Sequence, residues 1–205
     1  DDLHGNVPDE SSVALLLIDV VNDLEFEGGD RILEQALPMA ERLAGLKRRA
    51  REMGIPAVYV NDNFGRWRSD LRALVAHCLD TDARGRPVVE RLRPDERDYF
   101  VLKPKHSGFF STTLDTLLTY LRATTLILTG ITGDVCVLFT ANDAYMRDYH
   151  LVVPSDCVVS IDPQDNAHAL RQMRDALKAD TTPGEELDLG ALLGRASSGV
   201  LRPLR

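Results

Sequence analysis

Three polar residues each follow closely on an apolar run. Asp19 ends the run Val13 to Ile18, Lys103 ends Tyr99 to Leu102, and Cys136 lies just past Thr125 to Thr129, beyond a glycine-bearing turn. An acid, a base and a thiol are the parts of a nucleophilic catalyst. A thiol is inert until ionised, and its pKa, ordinarily about 8.5, falls beside a lysine or at a helix N-terminus. In such a set Cys136 is the nucleophile, Asp19 takes and returns its proton, and Lys103 steadies both anions. The turn before Cys136 can supply backbone N–H groups to a developing oxyanion. Each residue also has a plainer reading. Cys136 sits in Val135-Cys136-Val137-Leu138 like a small core hydrophobe, Asp19 suits a turn or cap, and Lys103 suits a solvated strand end. Both readings stand on the residues alone; convergence of the three on one edge favours the chemical one.

Convergence needs parallel strands, because ligands of open α/β sheets bind beyond the strands' carboxyl ends. The continuous run Val13 to Ile18 suits a strand buried on both faces. Leu37-Pro38 opens a helical pattern, with Ala40, Leu43, Leu46, Ala50 and Met53 at helical steps, Pro38 in the first turn and Gly54 as the stop. Ile55 to Val60 is a second strand, and Ser69 can cap a helix carrying Leu71, Leu74, Val75, Cys78 and Leu79. Residues 81–98 read as a long surface connection. Tyr99 to Leu102 is a third strand, and Ser111 or Thr112 can cap a helix bearing Leu114, Leu117, Leu118 and Leu121. Thr125 to Thr129 is a fourth strand, followed by a helix from about Val135 to Asp148 and a fifth strand, Leu151 to Val153. Asp162-Pro163 caps a last helix with Ala167, Leu170, Met173 and Leu177. This alternation predicts an α/β chain, a three-layer α/β/α Rossmann-like fold on a central parallel sheet. Residues 1–180 form the domain. Residues 181–205 form a C-terminal tail, loosely ordered or packed on a partner, in which Leu187 to Leu193 can make a short helix.

The chain has 205 residues, 24 of them Lys or Arg and 32 Asp or Glu, so its formal charge at pH 7 is −8. That balance argues against nucleic acid or an anionic membrane as partner. No window approaches the roughly 20 apolar residues of a membrane span. Three cysteines are an odd number, which disfavours a disulfide framework and favours a reducing compartment, expected to be the cytoplasm. Cys78 and Cys157 read as core thiols.

Three segments resemble the isochorismatase-like cysteine hydrolase superfamily, which includes nicotinamidases and N-carbamoylsarcosine amidohydrolases. They are Leu15 to Asp23 with its Asp and following Asn-Asp, Val101 to Phe109 around the lysine, and Thr129 to Val137 around the cysteine, with Thr140 and Asp143-Ala144 after it. The resemblance implies a catalytic triad of Asp19, Lys103 and Cys136, with Lys105 the alternative lysine. It also implies a cis peptide at Ile131-Thr132 and an oxyanion hole from the Thr132 and Cys136 N–H groups. The activity implied is hydrolysis of a small-molecule amide or related C–N bond through a thioester, by a homo-oligomer (dimer or tetramer). The alternatives are an isochorismatase-type ether hydrolase and a non-catalytic binding or assembly protein of the same fold.

Departures from the family bear on substrate. Val21 and Leu24 stand where the family often has Gln and an aromatic. Nicotinamidases carry an Asp-x-His metal element after strand two; here Asp62 is followed by Phe64 in the His position, and one further histidine, His77, makes a poor metal site. No metal, no cofactor and no nicotinamide substrate are therefore expected. Asn22, Phe64, Trp67 and Phe109 are the candidate substrate contacts. Arg66 or Arg68 could hold a carboxylate, and His106 could touch substrate.

Overall fold

The computed structural model describes residues 10–62, 70–80 and 82–197, with side chains to 194. Its centre is a parallel sheet of β1 (Val13–Ile18), β2 (Ala57–Asp62), β3 (Tyr99–Lys103), β4 (Thr125–Ile131), β5 (His150–Val152) and β6 (Val158–Val159). The strand order is β3-β2-β1-β4-β5, and β6 pairs with the far end of β4. All pairings are parallel. Because successive side chains of a strand point to opposite faces, each apolar run feeds two cores. Val13, Leu15 and Leu17 join one cluster with Ile32, Met39 and Leu43 of α1 (Gly29–Glu52). Ala14, Leu16 and Ile18 join another with Leu114 and Leu118 of α4 (Leu114–Leu121), Ala141 of α5 (Leu138–Tyr145) and Met173 of α6 (Pro163–Leu177). This is the three-layer α/β/α arrangement. Among the described residues no helix is long and apolar enough to cross a membrane.

Several boundaries differ from the sequence expectation. α1 begins at Gly29, so Pro38 lies inside the helix and not in its first turn. Ile32 and Ala36 extend the buried stripe N-terminally, and their burial outweighs the one backbone bond a proline cannot donate. Gly54 does end that helix, with φ +71°. The described cap of α2 (Leu71–Asp80) is Asp70, whose carboxylate accepts from Ala73 N–H at 2.8 Å; Ser69 lies outside the described residues. The charged stretch 81–98 holds a short helix, α3 (Arg86–Arg91), because Val88, Val89 and Leu92 find the α1 core. Asp162 caps α6 as expected, accepting from Gln164 N–H at 2.8 Å. In the segment after residue 180, a 3₁₀ turn (Gly184–Glu186) precedes α7 (Leu189–Ser197). Leu187, Leu189 and Leu192 are buried in the α1 core, and Arg49 donates to the Gly184 and Glu185 carbonyls at 2.7 and 2.8 Å.

At the sheet edge where the strands begin lies a partly buried polar cluster. Lys47 of α1 donates to Tyr59 Oη at 2.9 Å and pairs with Asp98 at 2.5 Å. Tyr59 Oη donates to the Leu92 carbonyl at 2.6 Å, and Arg51 binds both Asp98, at 3.0 Å, and Asp95.

Candidate active site

The chain visits β1, β2 and β3 on one side of the sheet, then crosses to β4 on the other side of β1. The end of β1 beside β4 is therefore the topological switch point, where such sheets place their ligands. Asp19 follows β1 there with φ +51°, a backbone region a non-glycine residue enters only when its surroundings hold it. Its N–H donates to the Val60 carbonyl at 3.0 Å, and its Oδ1 accepts from Asp62 N–H at 2.6 Å. Between those two residues the fully buried Asn61 amide grips Val21, donating to its carbonyl at 2.7 Å and accepting from its N–H at 3.4 Å. Three consecutive residues at the end of β2 thus mould the chain around Asp19.

From the other side, Gly130 of β4 closes on β1. With φ +115°, a side chain there would put its Cβ 2.0 Å from the Ile18 carbonyl oxygen, so only glycine lets β4 lie this close. The next peptide bond, Ile131–Thr132, is cis. A π turn, Gly133–Val137, follows, with Val137 N–H bonded to the Thr132 carbonyl at 3.0 Å. Gly133 packs under Asn166, whose Oδ1 would lie 2.1 Å from a Cβ at that position. Ser160 Oγ accepts from Asp134 N–H at 3.1 Å. Cys136 lies in the first turn of the helical segment, where N–H groups have no intrahelical acceptor. Thr140 fastens Cys136 to the lysine segment: its hydroxyl donates to the Cys136 carbonyl at 2.7 Å and accepts from Gly108 N–H at 3.0 Å.

Lys103 closes the set from the end of β3. Its Nζ lies 2.8 Å from Asp19 Oδ2, 3.5 Å from Cys136 Sγ and 3.7 Å from Asp62 Oδ2. The Lys103 side chain is 0% exposed and that of Asp19 7%. Lys105, the alternative, is exposed. Burial raises the Asp19 pKa, against the pull of Lys103. The Lys103 ammonium is held above its usual range by Asp19, Cys136 and Asp62, although burial opposes this. Burial first, then the Asp19 charge, pushes the Cys136 thiol up to about 12, with Lys103 only partly offsetting them. The sequence expectation is the reverse, a thiol lowered by lysine and helix end. Desolvation decides the direction and favours the neutral thiol.

Asn22 is buried and shapes the loop after β1, its Oδ1 accepting from Leu24 N–H at 2.8 Å. Phe109 is buried on the α4/α5 side, its ring centroid 6.1 Å from that of Tyr149 and 4.7 Å from the Arg147 guanidinium. His106 is exposed, its ring tilted 54° to that of Phe139 with the centroids 5.4 Å apart. Phe64, Arg66, Trp67 and Arg68 lie outside the described residues. His77 pairs with Asp23 at 3.1 Å, while Cys78 and Cys157 are buried in the α1 core. Among the described residues no three His, Cys, Asp or Glu side chains converge as a metal site. Asp62, which in sequence resembles one half of a metal element, faces an ammonium instead. Sequence reasoning misses its place beside the triad, although Asp62 ends an apolar run just as Asp19 does.

A family model, the isochorismatase domain, matches residues 13–185. The uncharacterised isochorismatase family protein YaaI of Bacillus subtilis is 40% identical over 174 residues, 85% of this chain and 95% of that protein. Ureidoacrylate amidohydrolase RutB of Methylobacterium radiotolerans is 28% identical over 182 residues, 76% of this chain and 70% of that one. Among solved structures, N-carbamoylsarcosine amidase of Thermoplasma acidophilum aligns with TM-score 0.66 at 26% identity, covering 86% of this chain and 99% of its own. The matched span contains every strand of the sheet together with Asp19, Lys103 and Cys136, and on that ground the chain belongs to the isochorismatase family.

Proposed function

We propose that this hydrolase cleaves a small-molecule amide or related C–N bond through a thioester on Cys136. The observation that carries the reading is the single Lys103 ammonium lying 2.8 Å from Asp19 and 3.5 Å from Cys136. Asp19 takes the thiol proton as Sγ attacks the carbonyl carbon, so the thiolate forms only as it is consumed. Lys103 offsets the negative charge that passes from carboxylate to sulfur. The tetrahedral oxyanion rests on the Thr132 and Cys136 N–H groups. Collapse breaks the C–N bond, Asp19 returns the proton to the leaving nitrogen, and ammonia or an amine departs. Water then attacks the thioester carbonyl, giving one proton to Asp19, and collapse releases the carboxylic acid and the Cys136 thiolate. The proton passes back from Asp19 to sulfur and restores the resting pair.

Two of the similar proteins named above are a ureidoacrylate amidohydrolase and an N-carbamoylsarcosine amidase, which supports starting from ureido compounds. The test is a panel of small amides, ureido compounds and hydroxamates, scored for release of ammonia or amine and for an acyl adduct on Cys136 by intact mass. Adduct and release together are expected for a good substrate. Undiminished turnover in Cys136→Ala would sink the thioester route; no release from any C–N substrate and no acyl adduct would favour ether hydrolysis of the isochorismatase type, which needs no thiol. The same reading has the enzyme working as a homo-oligomer in the cytoplasm on a small molecule, with neither cofactor nor metal; sedimentation velocity would test the assembly.

A further inference from the structure

We propose that Ser160 is a positioning residue of this site, holding the turn that carries the oxyanion donors of the proposed mechanism. The inference deepens the thioester reading and rests on it. Both donors, the Thr132 and Cys136 N–H groups, lie two residues from Asp134, and the Asp134 N–H donates to Ser160 Oγ at 3.1 Å. The Val135 and Val137 N–H groups both turn to the Thr132 carbonyl, at 3.3 and 3.0 Å. Among the described residues, the N–H groups of Thr132, Gly133 and Cys136 meet no acceptor outside the turn. Ser160 thus pins the midpoint of the segment from outside and leaves the donors on either side of it open.

What makes Ser160 a fixed anchor is its own bonding. It is fully buried just past β6, and its carbonyl accepts from Gln35 Nε2 of α1 at 3.3 Å. Its hydroxyl donates to Asn166 Oδ1 at 3.2 Å, and Asn166 Nδ2 donates to the Val158 carbonyl at 3.0 Å. A hydroxyl has one proton to give, so bonding it to Asn166 leaves the lone pairs for the Asp134 N–H. The turn lies hard against this pair: a Cβ on Gly133 would fall 2.1 Å from Asn166 Oδ1 and 3.2 Å from Ser160 Oγ. The bonded groups are all neutral, so the pair acts on the site through geometry. Alanine at 160 leaves the Asp134 N–H without its acceptor and frees the turn to shift. Donors aimed at a developing oxyanion lose their effect steeply when displaced.

Two reactions at the same sulfur separate positioning from mere support of the fold. p-Nitrophenyl acetate acylates a thiol through a tetrahedral oxyanion: the S–C bond forms, p-nitrophenolate leaves, and the thiol proton passes to Asp19. Iodoacetamide alkylates by displacing iodide at a saturated carbon, with no oxyanion, at a rate that follows the thiolate fraction. Both are followed at Cys136 by peptide mass spectrometry, the first also by release of p-nitrophenolate. In Ser160→Ala, acylation should slow about tenfold while alkylation stays within about twofold of the unchanged protein. Should Ser160→Ala fail to fold by circular dichroism, Asn166→Ala must show the same split. Two rates that fall together, or neither falling, overturn the inference while leaving the nucleophilic reading intact. If Cys136 of the unchanged protein is alkylated but never acylated, no oxyanion is held there and the inference falls. If it takes neither group, the nucleophilic reading falls, and this inference with it.

Discussion

Two buried lysines, at opposite edges of the same sheet, each bind an aspartate. Lys47 meets Asp98 at 2.5 Å where the strands begin, and Lys103 meets Asp19 at 2.8 Å where they end. By burial and pairing they look alike, yet their surroundings differ. Around Lys47 every polar group is tied to a fixed partner: Tyr59 between Lys47 and the Leu92 carbonyl, Asp98 between Lys47 and Arg51. Around Lys103 stand a thiol, an acid on a left-handed backbone and a second acid one-third open to water. Tyr59 has its pKa raised by burial and by Asp98 and Asp95, so it holds its proton. Cys136 shares the Lys103 ammonium with Asp19, the proposed acceptor of its proton. A buried lysine–carboxylate pair is thus not a sign of catalysis in itself. What marks the one proposed to be catalytic is a neighbour able to form a covalent bond and a second acid-base group beside it, at the sheet's switch point.

The sharpest way to break this contrast is at the nucleophile. Cys136→Ala should remove turnover on any good substrate while leaving the fold intact by circular dichroism; retained turnover would make the two clusters equivalent. Next, Lys103→Met should lower kcat/KM by about a thousandfold or more, since it removes the charge that both anions lean on. It also leaves Asp19 buried without its cation, so unfolding in urea should come earlier. The pH profile carries a third expectation. The proposed mechanism needs ionised Asp19, and burial has raised its pKa. Activity should therefore fall as pH drops through that raised value, with the acid limb of kcat/KM above the ordinary carboxylate range of about 4. A limb at the ordinary value would mean that Asp19 is better solvated than its surroundings allow.

Part of this is readable in the chain. β1, β2 and β4 announce themselves because strands buried on both faces need unbroken apolar runs. The same runs point to Asp19 and Lys103 as what the strands deliver. The first turns of α1 are hidden because Pro38 reads as a helix start, whereas burial of Ile32 and Ala36 carries the helix past it. β6 is two residues, Val158–Val159, too short to show any period. In the site, residue types are legible but depth is not. Lys103 beside Cys136 implies a lowered thiol pKa; only the three-dimensional burial reverses the sign. Asp62 reads as the remnant of a metal element, and strand register, which the sequence does not display, sets it beside Lys103.

At the structural pole the effects should be smaller and of another kind. Lys47→Met removes the ammonium that joins Tyr59 to Asp98, although Arg51 still pairs with Asp98. A loss of about 2–3 kcal/mol in urea unfolding is expected, below the full cost of stranding a buried charge. kcat/KM should stay within about twofold, because the substitution shares no partner with the triad. A large fall in activity without loss of stability would show that the two edges of the sheet are coupled.

The smallest expected effect is also the most discriminating. Tyr59→Phe deletes one hydroxyl, which accepts from Lys47 at 2.9 Å and donates to the Leu92 carbonyl at 2.6 Å. The ring remains, and with it the contact of Lys47 Nζ 4.9 Å from its centroid. About 1–2 kcal/mol should be lost, the cost of leaving those two buried partners short of a hydrogen bond. The sign of the pH dependence follows from the raised pKa. The hydroxyl stabilises the fold as a neutral group, fully below the ordinary tyrosine value of 10.0, and that contribution fades only as pH rises above it. The stability gap between Tyr59→Phe and the unchanged protein should therefore be flat from neutral pH to 10.0 and narrow beyond. A gap that changed near neutral pH would mean that the Lys47 cluster exchanges protons where the enzyme works, and the distinction between the two lysines would no longer hold.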